Sequence, residues 1–307
     1  MKHRGYVTLK TFINSVSMGK YLDDEIQMYK RIERGSGFHT GRNAVRRLLD
    51  SFDIDGPEGR HRCLVHPPLW ESVLTILHRN PVRRLPAPVL AFVLKRVFLA
   101  LDYLHTEGQA IHTDIKADNI SMFGIEDDSV FHDFTENELK NPCPRKELDG
   151  RNIYSWGAPI LCDFGSAVPG DIEHSEDIQP DIYRAPEVIL EAPWGYKVDI
   201  WNVGCMIWNV FEGGSLFTGY DPDFRRIEII RLLGPPPPEL LAKGRLRHKF
   251  FSDDGDRIPL EDRETSFKGL NKTRFLVFVR KMLQWDPNKR SSAKELLEDE
   301  WICENTR

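Results

Sequence analysis

Apolar residues at positions 22, 26, 29 and 32 recur at steps of three and four. That spacing puts them on one face and predicts an amphipathic helix over residues 22–33. A longer run, apolar at 89, 92, 93, 97, 100, 101 and 104, predicts a buried helix over 88–105, stopped by Gly108. Between them, residues 48–54 and 61–66 read as two strands joined by Asp55-Gly56-Pro57-Glu58-Gly59, a turn-forming stretch. Tyr6-Val7-Thr8-Leu9-Lys10 is a short β-rich run, and Pro159-Ile160-Leu161-Cys162 is a short apolar run of the buried-strand kind. From 124 to 158 the chain is mostly polar and punctuated by Asn141-Pro142 and Cys143-Pro144, which predicts a surface insertion. Four consecutive prolines at 235–238 form a stiff connector, and there is no internal repeat.

The 307 residues allow one large or two ordinary domains, and 40% hydrophobic content supports a sizeable core. A net charge of −5 gives no warrant for nucleic acid or an anionic membrane as the main partner. No apolar run approaches the ~18 residues of a membrane span, and the N-terminus lacks a signal-peptide pattern. Cys63, Cys143, Cys162, Cys205 and Cys303 are scattered, odd in number and without a C-x-x-C pair. A reducing compartment is therefore expected, cytoplasmic or nuclear.

One stretch carries chemistry. In Ile111-His112-Thr113-Asp114-Ile115-Lys116-Ala117-Asp118-Asn119, a carboxylate is followed by an ammonium two residues on and an amide five residues on. Phosphoryl transfer needs such a set: an acceptor to orient the incoming hydroxyl, a cation for the phosphoryl charge, and an oxygen ligand for Mg²⁺. Lys10 ends the first β-rich run, which resembles the V-A-I-K strand of protein kinases, and that resemblance makes Glu25 on the predicted helix its natural ion-pair partner. Glu25 is preferred to Asp23 and Asp24 because Tyr29, one turn later, then lies on the core-facing side.

The stretch resembles the catalytic loop H-R-D-x-x-x-x-N of eukaryotic protein kinases, with Thr113 where Arg is usual. Asp163-Phe164-Gly165, Ala185-Pro186-Glu187, Asp199-Ile200-Trp201-Asn202-Val203-Gly204 and Trp285-Asp286-Pro287-Asn288-Lys289-Arg290 resemble further kinase motifs and stand in kinase order. His-Thr-Asp-Ile-Lys, Ile178-Gln179 before Tyr183-Arg184, and the insertion make the chain similar to the kinases of serine/arginine-rich splicing factors. Residues 226–244, with Leu232-Leu233-Gly234-Pro235-Pro236, resemble the insert of the wider CMGC group.

This resemblance implies an α+β, bilobal protein-kinase fold. Residues 1–69 would form a small β-rich lobe and hinge, truncated before its third strand, and 70–307 a large, mostly helical lobe. It implies ATP and Mg²⁺ as cofactors and transfer of the γ-phosphoryl group to serine or threonine, Lys116 being the serine/threonine-kinase choice. Asp114 and Lys116 would be catalytic, and Asn119 and Asp163 would hold the metal. Lys10, fixed by Glu25, would meet the nucleotide phosphates, while adenine would meet the Pro67 C=O and the Leu69 N–H. Glu187 and Arg290 would form a buried structural pair. Protein substrates are implied, Arg/Ser-rich ones among them, with no direct contact to nucleic acid or membrane. The acids Asp171, Glu173, Glu176, Asp177 and Asp181, with no Lys or Arg among them, would face such peptides.

Departures from the family pattern bear on function. No G-x-G-x-x-G-x-V precedes Lys10. Thr8 stands where Ala usually roofs the adenine, and Ser121 where an apolar floor is usual unless Met122 takes its place. Pro180 replaces a Thr that braces the catalytic Asp. These departures leave a catalytically impaired scaffold that binds partner proteins as the alternative to an active enzyme.

Overall fold

The computed structural model describes residues 6–12, 19–56, 59–123, 129–141, 157–218, 222–245 and 266–307. The first β-rich run is β1 (Thr8–Thr11), followed by α1 (Gly19–Glu33). As its spacing predicts, α1 buries Ile26, Tyr29 and Ile32, and with them Met28 and the carboxylate Glu25. β2 (Asp50–Gly56) and β3 (Gly59–His66) form an antiparallel hairpin whose pairing runs from Asp50↔Val65 to Gly56↔Gly59. Its tip, Pro57-Glu58, lies outside the described residues. β2 therefore sits two residues later than residues 48–54. Chain pairing sets the strand edge: Val45 bridges to Leu161, and only from Asp50 does the hairpin register begin. β1 pairs the other edge of β3, from Thr8↔His66 to Thr11↔Cys63, giving the sheet order β1-β3-β2.

β4 (Leu69–Ser72) leads into α2 (Val73–Arg79), whose Thr75 N–H is capped by the Ser72 hydroxyl. The long apolar run is α3 (Ala87–Thr106), with Leu90, Ala91, Leu94, Phe98, Leu101, Tyr103 and Leu104 at full burial. The chain turns at Gln109, in a left-handed conformation (φ 45°), into β5 (Ala110–Ile111). β6 (Ile120–Phe123) follows the chemical stretch and pairs with β4, so that Leu69 lies opposite Phe123.

The stretch read as a surface insertion is partly helical: α4 spans Ser129–Lys140, steadied by the i,i+4 pair Glu136–Lys140. The Phe131 ring of α4 stacks on Tyr6, centroids 4.5 Å apart, so this part of the insertion is seated against the start of β1. Residues 124–128 and 142–156, with Cys143-Pro144, lie outside the described residues.

β7 (Pro159–Leu161) completes the second sheet, β4-β6-β7, and β8 (Val168–Pro169) pairs with β5. The rest is helical: α5 (Pro186–Ile189), α6 (Lys197–Phe211), α7 (Pro222–Leu233), α8 (Pro238–Lys243), α9 (Gly269–Arg280), α10 (Ala293–Leu297) and α11 (Glu300–Asn305). The last of the four prolines opens α8, where a missing N–H has no intrahelical partner to lose. α6 is buried almost end to end and lies beneath the chemical stretch. The N-terminal sheet β1-β3-β2 and a mostly helical remainder that carries the small sheets β4-β6-β7 and β5-β8 give the α+β, two-lobed arrangement. Among the described residues no helix is long and apolar enough to cross a membrane.

Candidate active site

Three elements bring the first group of site residues together. The ammonium of Lys10, on β1, lies 2.9 Å from both carboxylate oxygens of Glu25, on α1. It also lies 3.0 Å from Asp163 Oδ1, just past β7. Burial works against the Lys10 ammonium, but Glu25 and Asp163 outweigh it and hold its pKa above the ordinary value. Burial likewise pushes the Glu25 carboxyl up, against the pull of Lys10. Asp163 goes the other way: burial opposes ionisation, but Lys10 and the Gly165 N–H hold its carboxyl below the usual range. Asp163 itself adopts a left-handed backbone (φ 64°). Phe164 is fully buried, edge-on to Tyr29 and His112 at 5.3 and 5.2 Å.

On the facing side, Asp114 Oδ2 accepts from Lys116 Nζ at 2.7 Å and from Asn119 Nδ2 at 3.0 Å. Asn119 Nδ2 also donates to the Asp114 carbonyl at 2.8 Å. Asp114 Oδ1 is buried and has no hydrogen-bond partner. A bare carboxylate oxygen of this kind is expensive to bury unless a donor arrives. A cavity of about 810 Å³ adjoins the Asp114 residue, walled by α1 and by the segment from Gly165 to Pro180.

The loop is fixed from below. Asp199, at the start of α6 and wholly buried, accepts from the backbone N–H groups of His112 (2.9 Å) and Thr113 (2.8 Å) and faces His105 Nε2 at 2.9 Å. Asn202, one turn later, accepts from the Ile115 N–H at 3.4 Å and donates to the Tyr183 carbonyl at 3.1 Å. His112 Nε2 bonds the Cys162 carbonyl at 3.0 Å, tying the loop to β7. The roles of His105 and Asn202 have no local signal, because each partner is distant in sequence.

Thr113 is buried with a left-handed backbone (φ 66°), and its hydroxyl donates to the Ser166 carbonyl at 2.8 Å. The position thus joins the loop to the segment after Asp163 and presents no cation to a phosphate there. Phosphatase treatment, and Ser175→Ala or Ser166→Ala, are accordingly expected to leave activity within about twofold of the parent. A large fall in either case contradicts this.

Three of the acids in residues 168–183 have cationic partners from outside the run. Arg31 of α1 pairs with Asp171 at 2.7 Å, and Arg184 with Asp177 and Asp181, each at 3.2 Å. These arginines come from outside the acidic run, so its composition alone conceals them. The pairs are largely exposed and screened, and the rim keeps acidic character. Arg290 forms a two-pronged pair with Glu187 at 2.6 and 2.7 Å and also donates to the carbonyls of Gln284 and Lys197 at 2.9 and 3.0 Å.

Pro67 and Leu69 follow β3, both half-buried, with Leu69 already opening β4. Met122 is buried, whereas Ser121 stays partly open and bonds the Cys162 thiol, which burial pushes up to about 11. His66, last in β3, is fully buried, with Nδ1 2.8 Å from the Arg47 carbonyl and Nε2 without a partner. Burial lowers its pKa to about 4. The folded chain keeps this imidazole neutral while the unfolded chain protonates it below its ordinary ~6.5. The contribution is thus fully present above about pH 6.5 and is lost as pH falls toward 4. Urea melts of the parent are expected to lose up to about 3 kcal/mol more across that window than those of His66→Phe. Parallel losses contradict this.

The residues fit a nucleotide and its metal without a dedicated cage. Among the described residues no three His, Cys, Asp or Glu side chains gather into a metal site. Magnesium commonly takes one or two protein oxygens and completes its shell with phosphates and water. Asn119, whose amide nitrogen is committed to Asp114, and Asp163, half-exposed, offer oxygens of that kind.

The chain matches the protein kinase domain over residues 43–302. It is 39% identical to a serine/threonine protein kinase of Aspergillus fumigatus, over 98% of this chain and 78% of that protein. It is 25% identical to the serine/threonine-protein kinase SRPK of Physarum polycephalum, over 97% of this chain and 80% of the relative. Against dual specificity tyrosine-phosphorylation-regulated kinase 3 of Mus musculus it is 25% identical, over 99% of this chain and 51% of that protein.

Proposed function

This chain belongs to the protein kinase family, on its serine/threonine side, and from that premise we propose that Asp114 directs phosphoryl transfer to serine in basic, Arg/Ser-rich protein segments. The observation that carries the reading is the Asp114 carboxylate, which lines the large cavity and keeps one oxygen, Oδ1, without a partner. A substrate hydroxyl held at that wall donates its proton toward Asp114, whose Oδ1 has no other partner. Lys116 and Asn119 hold the other oxygen, so the carboxylate cannot turn away. Bound Mg-ATP supplies the phosphoryl group and the metal charge that screens it. Lys10, fixed by Glu25, meets the nucleotide phosphates; Asn119 and Asp163 offer oxygens to the metal; Lys116 offsets phosphoryl charge. The Pro67 carbonyl and the Leu69 N–H receive the adenine edge.

Support for basic substrates comes from the cavity wall, where the carboxylates Asp24, Asp114, Glu176 and Asp177 outnumber the guanidinium groups of Arg31 and Arg34 and stand beside apolar Met28, Val168 and Ile178. An arginine side chain lays its aliphatic stem on the apolar part and its guanidinium on the rim. Carboxylates there attract cations within a Debye length of about 8 Å at physiological salt. We place this activity in the cytoplasm or nucleus. Comparison of Arg-Ser with Asp-Ser repeat peptides tests the substrate class. The Arg-Ser peptide is expected to win by roughly tenfold or more in kcat/KM, an advantage that shrinks with salt. Equal rates would leave a kinase without this preference.

A further inference from the structure

His174 lies in the segment that walls the cavity, is 4% exposed, and places both ring nitrogens against oxygens. Nδ1 is 2.7 Å from Glu176 Oε1, and Nε2 is 2.6 Å from the Pro169 carbonyl oxygen. A carbonyl only accepts, and so does an ionised carboxylate. Burial opposes ionisation of Glu176, but the N–H groups of Glu176 and Ser175, together with His174, hold its carboxyl below the ordinary range. A neutral imidazole has one N–H and would turn a lone pair toward one of these oxygens. The imidazolium has two and satisfies both.

The same ring stacks on Trp194, centroids 4.6 Å apart and planes 15° apart. Trp194 then clamps the backbone on either side of Ser175. Its N–H donates to the His174 carbonyl at 3.0 Å, and its indole Nε1 donates to the Glu176 carbonyl at 2.9 Å. Through one ring, β8, residues 174–176 and the stretch before α6 are fastened together. His174 and Glu176 line the cavity that adjoins Asp114, so the shape of that wall depends on this fastening.

We propose that the His174 imidazolium is a positioning residue that holds this segment in its substrate-accepting shape and makes peptide binding depend on pH. The inference rests on the kinase reading of the cavity. Other charges around the ring are accounted for. On its own segment are Glu176, exposed Glu173, and Asp171, whose carboxyl feels His174. From α1 come Arg31, bound to Asp171, and Arg34 and Asp24 across the cavity. The Trp194 side presents an apolar indole, with Lys197 farther along the chain. The sign is opposite to that of His66: the fastening is present when the ring carries both protons and is lost when one of them leaves at higher pH.

The test is steady-state phosphorylation of an Arg-Ser peptide at saturating Mg-ATP from about pH 6 to 8.5, for the parent, His174→Phe and His174→Arg. The parent's peptide KM, normalised at each pH to that of His174→Arg, is expected to rise roughly tenfold across the range, the loss of one charge-assisted hydrogen bond. His174→Phe keeps a ring on Trp194 but loses both donors, and its normalised KM should be high and flat. His174→Arg donates without titrating, and its KM should stay low across the range. Superimposable profiles for the parent and His174→Phe overturn the proposal. Nitrogen-15 NMR of the His174 ring reads the proton directly, with two N–H groups expected at about pH 6; a singly protonated ring there also overturns it. Absence of any phosphotransfer would count against the kinase reading, while the NMR result would still decide the His174 proton.

Discussion

Asp114→Asn is expected to slow phosphotransfer by about 10²–10⁴-fold while melting at the parent's temperature. The reason lies in the division of labour between the two carboxylate oxygens. Oδ2 is committed to Lys116 and Asn119, and Oδ1 is bare. An asparagine keeps its oxygen toward those two donors and puts its amide NH₂ where Oδ1 stood. A donor then faces the incoming hydroxyl, and nothing remains to take its proton. The side chain is no part of the hydrophobic core, so the melt should be unchanged. Turnover close to that of the parent would show that Asp114 does not serve the reacting hydroxyl.

Arg290→Ala is expected to act the other way, on stability first. Arg290 and Glu187 are both about 2% exposed or less, and the guanidinium also serves the backbone carbonyls of Gln284, Lys197 and Trp285 and lies over the Trp201 ring at 5.0 Å. Removing it leaves a carboxylate buried without a counter-charge, which costs about 3–5 kcal/mol. Arg290→Lys should recover only part of this, because an ammonium cannot reproduce the two-pronged geometry. Urea denaturation measures both. A loss below about 1 kcal/mol for Arg290→Ala would mean that the pair is better hydrated than its burial indicates.

These two residues were legible in the sequence because each belongs to a short motif with fixed internal spacing. The same holds for Lys116, Asn119 and Asp163. Lys10 was legible through the resemblance of its β-rich run to the kinase V-A-I-K strand, and Glu25 through helix periodicity, which put Tyr29 on the core side. The family match starts at residue 43, yet the fold brings both to Asp163. What stayed hidden depends on partners far apart in the chain. Arg31 and Arg184 compensate acids that composition shows as a bare cluster, and Asn202 bridges a loop and a segment that share no local pattern. α4 was missed because its stretch is polar and bracketed by turn residues, while its contact with Tyr6 is tertiary. The early boundary of β2 was misplaced because pairing with β3, not β propensity, sets where the strand begins.

The most direct measurement gives the chain Mg-ATP labelled on the γ-phosphoryl group and a serine-containing Arg-Ser peptide, and follows the label by mass spectrometry. The kinase reading predicts labelled phosphoserine on the peptide, lost when Mg²⁺ is withheld and when Asp114 is replaced by asparagine. A chain whose melting temperature rises with Mg-ATP, but which transfers no label to serine or threonine in any peptide, would contradict it and leave a nucleotide-binding scaffold.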